Sequence, residues 1–162
     1  MKRIESAAFV GVVVLVAVAG CKSEAPAPPA AKPKGHVRLL PAPASAPDQL
    51  APLVAQQQRA SSAEGRTLVV YVGAPWCEPC QRFHAAAESG QLDADFGDLD
   101  LFVFDADADA ERLLLAGYES KFIPLLVLPG PDGRGTERRM EGSVKGDAVA
   151  DMTPRLKQVL GR

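Results

Sequence analysis

The stretch Ala74-Pro75-Trp76-Cys77-Glu78-Pro79-Cys80 follows an apolar run at residues 68–72 and leads into a helix-forming segment at residues 81–89. An unbroken apolar run of that length has the pattern of a central strand covered on both faces. Two cysteines separated by two residues, placed where such a strand hands over to a helix, can close a small disulfide and reopen it. In the first turn of a helix the backbone N–H groups lack partners and the macrodipole is positive, so a thiolate at Cys77 is favoured. Cys77 is therefore the expected attacking sulfur. Cys80, one turn deeper, is expected to be less exposed and to resolve a mixed disulfide formed at Cys77. Pro79 forfeits no helical hydrogen bond inside the first turn, and its fixed φ limits how far the pair opens. The carboxylate of Glu78 disfavours a second negative charge beside it, which destabilises the reduced thiolate and biases the couple towards donating electrons.

Working outward, residues 48–64 predict a helix, with Leu50, Leu53, Val54 and Gln57 at helical spacing and Asp48 at its start. Pro52 is tolerated there only close to the helix start. The helix after the motif turns Phe83, Ala86 and Ala87 inward and ends at Gly90. A second apolar strand is expected at residues 99–104 and a helix at 110–118, with Leu113, Leu114 and Tyr118 on one side. A strand at residues 125–128, the turn Gly130-Pro131-Asp132-Gly133 and a strand at 137–141 predict a hairpin. A last helix spans 147–160 with Val149, Met152, Leu156 and Leu160 inward, despite Pro154. This order predicts an α/β fold with a central mixed sheet flanked by helices, the first strands parallel and the final hairpin antiparallel. Asp105, Asp107 and Asp109 alternate as calcium ligands do, but the glycine and terminal glutamate of a calcium loop are missing. Loop and capping roles are expected for them.

Among the 162 residues, 18 Lys and Arg against 20 Asp and Glu give a net charge of −2, which offers nucleic acid no basic surface. Residues 1–20 open with Lys2 and Arg3 and continue as a short apolar and small-residue run ending in Gly20, the pattern of an export signal and short for a membrane span. Residues 21–47 are rich in Pro and Ala, cannot build a core, and are expected to form an extended tether of up to about 3.1 Å per residue. The small apolar island Val37, Leu39 and Leu40 either docks on the domain or is plain linker; it is assigned to the tether, and His36 carries no role. The folded domain is expected over residues 48–162.

Two resemblances sharpen this picture. The run Trp76-Cys77-Glu78-Pro79-Cys80 resembles the active site of the thioredoxin superfamily, whose cue is a C-x-x-C pair near a βαβ pattern. Ile123-Pro124, forty-four residues beyond Cys80 and followed by an apolar strand, is similar to that family's cis-proline segment. A third similarity lies in Arg139-Met140-Glu141-Gly142, matching the family's last strand and glycine. The resemblance covers roughly residues 66–160. It implies a thioredoxin-like fold, catalytic Cys77 and Cys80, Trp76, Glu78 and Pro79 as modulators, and a backbone at Ile123 and Pro124 that aligns an extended substrate. Thioredoxins proper place a buried aspartate where this chain has Tyr71, a lysine near Val103, and threonine where it has Leu125. The usual proton-handling pair is thus missing. Val18-Ala19-Gly20-Cys21 resembles the bacterial lipoprotein box, which implies lipidation of Cys21 and a stable multi-chain membrane anchor.

Together these imply a lipid-anchored thiol–disulfide oxidoreductase in the bacterial cell envelope, its domain facing the periplasm. It would be a monomer that needs no cofactor and reduces exported proteins carrying thiols or disulfides. The Glu-Pro pair between the cysteines is also similar to envelope reductases serving cytochrome c maturation, which implies an apocytochrome or another exported thiol protein as client; those relatives usually carry an insert absent here. The alternatives are a metal-binding module, in which His84 joins the two thiolates as a third ligand, and a binding lipoprotein with a purely structural disulfide. Only one C-x-x-C pair exists and Gln81 stands where covalent haem attachment requires His, so no metal site is assigned.

Overall fold

The computed structural model describes residues 35–162. The expected export signal, Cys21 and most of the Pro/Ala-rich run lie outside those residues.

The apolar run forms β2, Thr67–Gly73, and every residue from Leu68 to Gly73 is buried. On its flank lies β3, Leu99–Asp105, paired in parallel so that Tyr71 stands beside Val103 and Gly73 beside Asp105. On the other flank β4, Leu125–Val127, runs antiparallel, and β5, Arg139–Glu141, pairs antiparallel with β4. The hairpin and the mixed sheet are as the sequence predicts.

The outer edge beside β3 corrects the sequence analysis. Residues 38–41, assigned to the tether, form β1, Arg38–Pro41, which pairs in parallel with β3 and completes the order β1-β3-β2-β4-β5. The folded unit thus begins well before residue 48, and Val37 and Leu39 join the core. The physical reason is partly electrostatic. Asp100, on β3, is fully buried, and its carboxylate accepts hydrogen bonds from Arg38 Nε and Nη2 at 2.6 and 2.5 Å, Arg66 Nε at 2.6 Å and Ser61 Oγ at 2.7 Å. A buried carboxylate requires such partners, and Arg38 is the one that β1 supplies.

Side chains alternate across the sheet, so each face has its own core. Val69, Tyr71, Leu101 and Leu126 face α2 (Glu78–Glu88), α3 (Asp93–Phe96) and α5 (Ala148–Leu160). Val70, Val72, Phe102, Phe104 and Leu125 face α1 (Leu50–Ala63) and α4 (Ala110–Leu115). A 3-10 turn at Pro47–Gln49 precedes α1 and places Pro52 in the helix's first turn, where a missing N–H does no harm. Pro154 sits inside α5 without ending it; the carbonyl it cannot serve belongs to Ala150, which is exposed to water. Leu114 departs from its expected inward side and is exposed, because α4 stops after a turn and a half and Leu113 and Tyr118 fill the space beneath it. Among the described residues no helix is long and apolar enough to cross a membrane.

Candidate active site

The cysteine motif lies at the carboxyl end of β2, beside the end of β3, the edge at which open sheets with parallel strands present their sites. β2 ends at Gly73, and four residues later Cys77 caps α2. A Cβ on Gly73 would stand 3.3 Å from Cys80 Cβ and 3.1 Å from the Tyr71 hydroxyl, so glycine lets the strand pass close beneath the pair.

Cys77 and Cys80 are joined in a disulfide with their Cα atoms 5.2 Å apart. The Cys80 N–H donates to Cys77 Sγ at 3.3 Å, the contact of a helix N-cap. When the bond opens, that amide and the helix N-terminus favour negative charge on Cys77 rather than on Cys80. Both sulfur residues are buried, 5% exposed at Cys77 and 3% at Cys80, so the expected difference in depth is small in the closed pair.

The distant segment meets the motif. Ile123 packs against the cluster of Ala74, Cys77 and Cys80. The Ile123-Pro124 peptide is cis, and Pro124 is buried. Gly142, just past β5, donates its N–H to the Pro124 carbonyl at 2.9 Å, and a Cβ there would stand 3.2 Å from Phe122 Cβ. The three segments singled out in the sequence, the cysteine motif, Ile123-Pro124 and the Arg139 to Gly142 run, therefore converge on one edge of the sheet.

The residues expected to modulate the pair occupy different places. Trp76 is 67% exposed, and its indole N–H donates to Asp107 Oδ2 at 2.7 Å. Asp105 and Asp109 build the loop that carries Asp107: Asp105 Oδ1 accepts from the N–H groups of Asp107 and Ala108, and Asp109 Oδ2 from that of Asp105, each at 2.9 Å. The alternating aspartates are turn residues, as expected, with one unforeseen task in holding the tryptophan. Glu78 pairs with Arg82 one helical turn on and accepts from the Gly146 N–H at 3.4 Å. The Arg82 hydrogen bond holds the Glu78 carboxyl below the usual carboxylate range. Arg82 also offsets part of the repulsion that Glu78 exerts on Cys77, so its electrostatic effect is weaker than the sequence suggests.

Tyr71 occupies the position beneath the pair and donates its hydroxyl to the Cys80 carbonyl at 3.0 Å. Burial pushes its phenol well above the ordinary tyrosine range. His84 does not meet a ligand set: its Nε2 lies 3.3 Å from Glu88 Oε1, and among the described residues no three His, Cys, Asp or Glu side chains are grouped to hold a metal ion.

No protein-family model matches the chain, and comparison with curated proteins finds no significant match. The molecule is an α/β protein with a mixed sheet flanked by helices and a closed cysteine pair at a helix N-terminus, an arrangement compatible with a redox role.

Proposed function

We propose that this chain is a thioredoxin-like thiol–disulfide oxidoreductase, anchored through lipid on Cys21 and acting as a monomeric reductant on exported proteins in the bacterial envelope. The observation that carries the chemistry is the Cys77–Cys80 bond at the N-cap of α2, with the Cys80 amide on Cys77 Sγ and Ile123 against the pair. The anchor and the compartment rest on the signal-like start, the lipoprotein-like box and the Pro/Ala-rich run of the sequence.

In the reduced protein the Cys77 thiolate attacks a sulfur of the client disulfide. Cys77 is then joined to one client sulfur while the other leaves as a thiolate. Cys80 attacks Cys77 Sγ next, closes the intramolecular bond and frees the second client sulfur. The backbone before Pro124 aligns an extended client beside the pair by strand-like hydrogen bonds. Trp76, exposed and held by Asp107, covers one side of the docking ground with an amphipathic ring suited to a protein partner.

Reduction of insulin disulfides by the purified chain, with Cys77→Ser and Cys80→Ser variants, tests this. Both substitutions are expected to abolish turnover, and Cys80→Ser to trap a mixed disulfide at Cys77. Unchanged activity in both variants would remove the enzymatic assignment.

A further inference from the structure

The exchange proposed above needs Cys80 as a thiolate at the second step, and the fold gives Cys80 none of the help it gives Cys77. The helix-terminal amide contacts Cys77 Sγ, whereas Cys80 lies buried among apolar groups, where a charged sulfur is poorly solvated. A proton acceptor must therefore stand within reach. The phenol beneath Cys80 is not one, because its hydroxyl is held on the Cys80 carbonyl and burial keeps it neutral.

Cys80 borders a cavity of about 650 Å³ between α2, the end of β3 and the segment after β1. That space is ample for water. The ionisable side chains around it are Tyr71 from β2, His84 and Glu88 from α2, Asp105 from the end of β3, Asp109 from the β3–α4 turn, and Arg112 from α4. Asp105 and Asp109 are engaged by backbone N–H groups. Arg112 pairs with Asp109 and donates to the Pro43 carbonyl. His84 differs from all of these. It lies four residues after Cys80, on the same side of α2, and its Nε2 faces Glu88. A neutral imidazole carries one ring nitrogen free to accept a proton.

We propose that His84 is the proton acceptor for Cys80, working through water in this cavity. In the mixed disulfide the Cys80 Sγ proton passes to His84, and the thiolate attacks Cys77 Sγ. The Cys77–Cys80 bond forms as the bond from Cys77 to the client sulfur breaks. The departing thiolate takes a proton from the imidazolium or from water. The pair is oxidised by two electrons and the client disulfide is reduced by two.

A chromogenic aromatic disulfide isolates this step, because the reduced full chain releases one aromatic thiolate on capture at Cys77 and a second when Cys80 resolves. With His84→Ala and His84→Gln, capture is expected at the wild-type rate and release slower by about 10²-fold near pH 6, the low end of what a positioned general base supplies. Added imidazole is expected to restore release in His84→Ala, a response that a merely structural role does not produce. Wild-type release rates in both variants, or slowed release that imidazole does not restore, overturn the assignment of His84. Absence of capture in the wild type would instead overturn the exchange reading itself.

Discussion

Asp100→Asn tests what fixes the outer strand. The substitution keeps the size of the side chain but replaces a charged oxygen with an amide NH₂. That group faces donors, either Arg38 Nη2 and Ser61 Oγ on one side or the Nε atoms of Arg38 and Arg66 on the other. Two guanidinium groups lose their buried counter-charge. Removing one partner of a buried, hydrogen-bonded ion pair costs about 3–5 kcal/mol. The Arg38 side chain is 38% exposed and can turn to water or to Glu64, which favours the lower end, about 3 kcal/mol. Urea denaturation followed by far-ultraviolet circular dichroism measures the difference directly. Burial pushes the Asp100 carboxyl up, but hydrogen bonds from Arg38, Ser61 and Arg66 outweigh it and hold the group below the usual range. Because the folded-state value lies below the unfolded value of about 3.9, the stabilisation is fully present above that pH and is lost as pH falls through the folded value. The gap between wild type and Asp100→Asn is therefore expected to hold at neutral pH and to narrow in acid. A loss under about 1 kcal/mol at neutral pH, the scale of an exposed pair, or a gap independent of pH, would refute this account of β1.

Glu78→Gln is expected to make the Cys77/Cys80 couple less reducing, by a small amount because Arg82 already offsets the charge; a redox titration checks it, and a more reducing variant reverses the sign argued for Glu78. Cys21→Ser is expected to move the protein from the membrane fraction to the soluble fraction of the cell envelope without changing insulin reduction by the purified chain. Retention of the variant in the membrane fraction would count against the lipid anchor.

Much of the site was legible because its chemistry is local. The distance from Cys77 to Cys80 along the chain sets them one helical turn apart, and the apolar run ahead of them specifies a strand buried on both faces. The hairpin from β4 to β5 followed from turn residues between two short strands. What escaped was non-local. β1 is four residues long and set in a Pro- and Ala-rich stretch, with no periodicity to mark it. It exists because β3 offers an edge and Asp100 offers Arg38 a charge. The exposure of Trp76 and its bond to Asp107 escaped for the same reason, since thirty-one residues separate the partners and neither pattern predicts the other.

The sequence by itself determined the close cysteine pair, the helix that begins at it and the α/β order of elements, because each depends on neighbours within a turn or a strand. Only the tertiary structure decided that Ile123 lies on the pair, that the Tyr71 hydroxyl donates to the Cys80 carbonyl, and that Cys80 and His84 share a cavity. Those facts depend on which distant segments the sheet brings to one edge, and closing such long loops is decided by the summed burial of both faces, which no single stretch of sequence records.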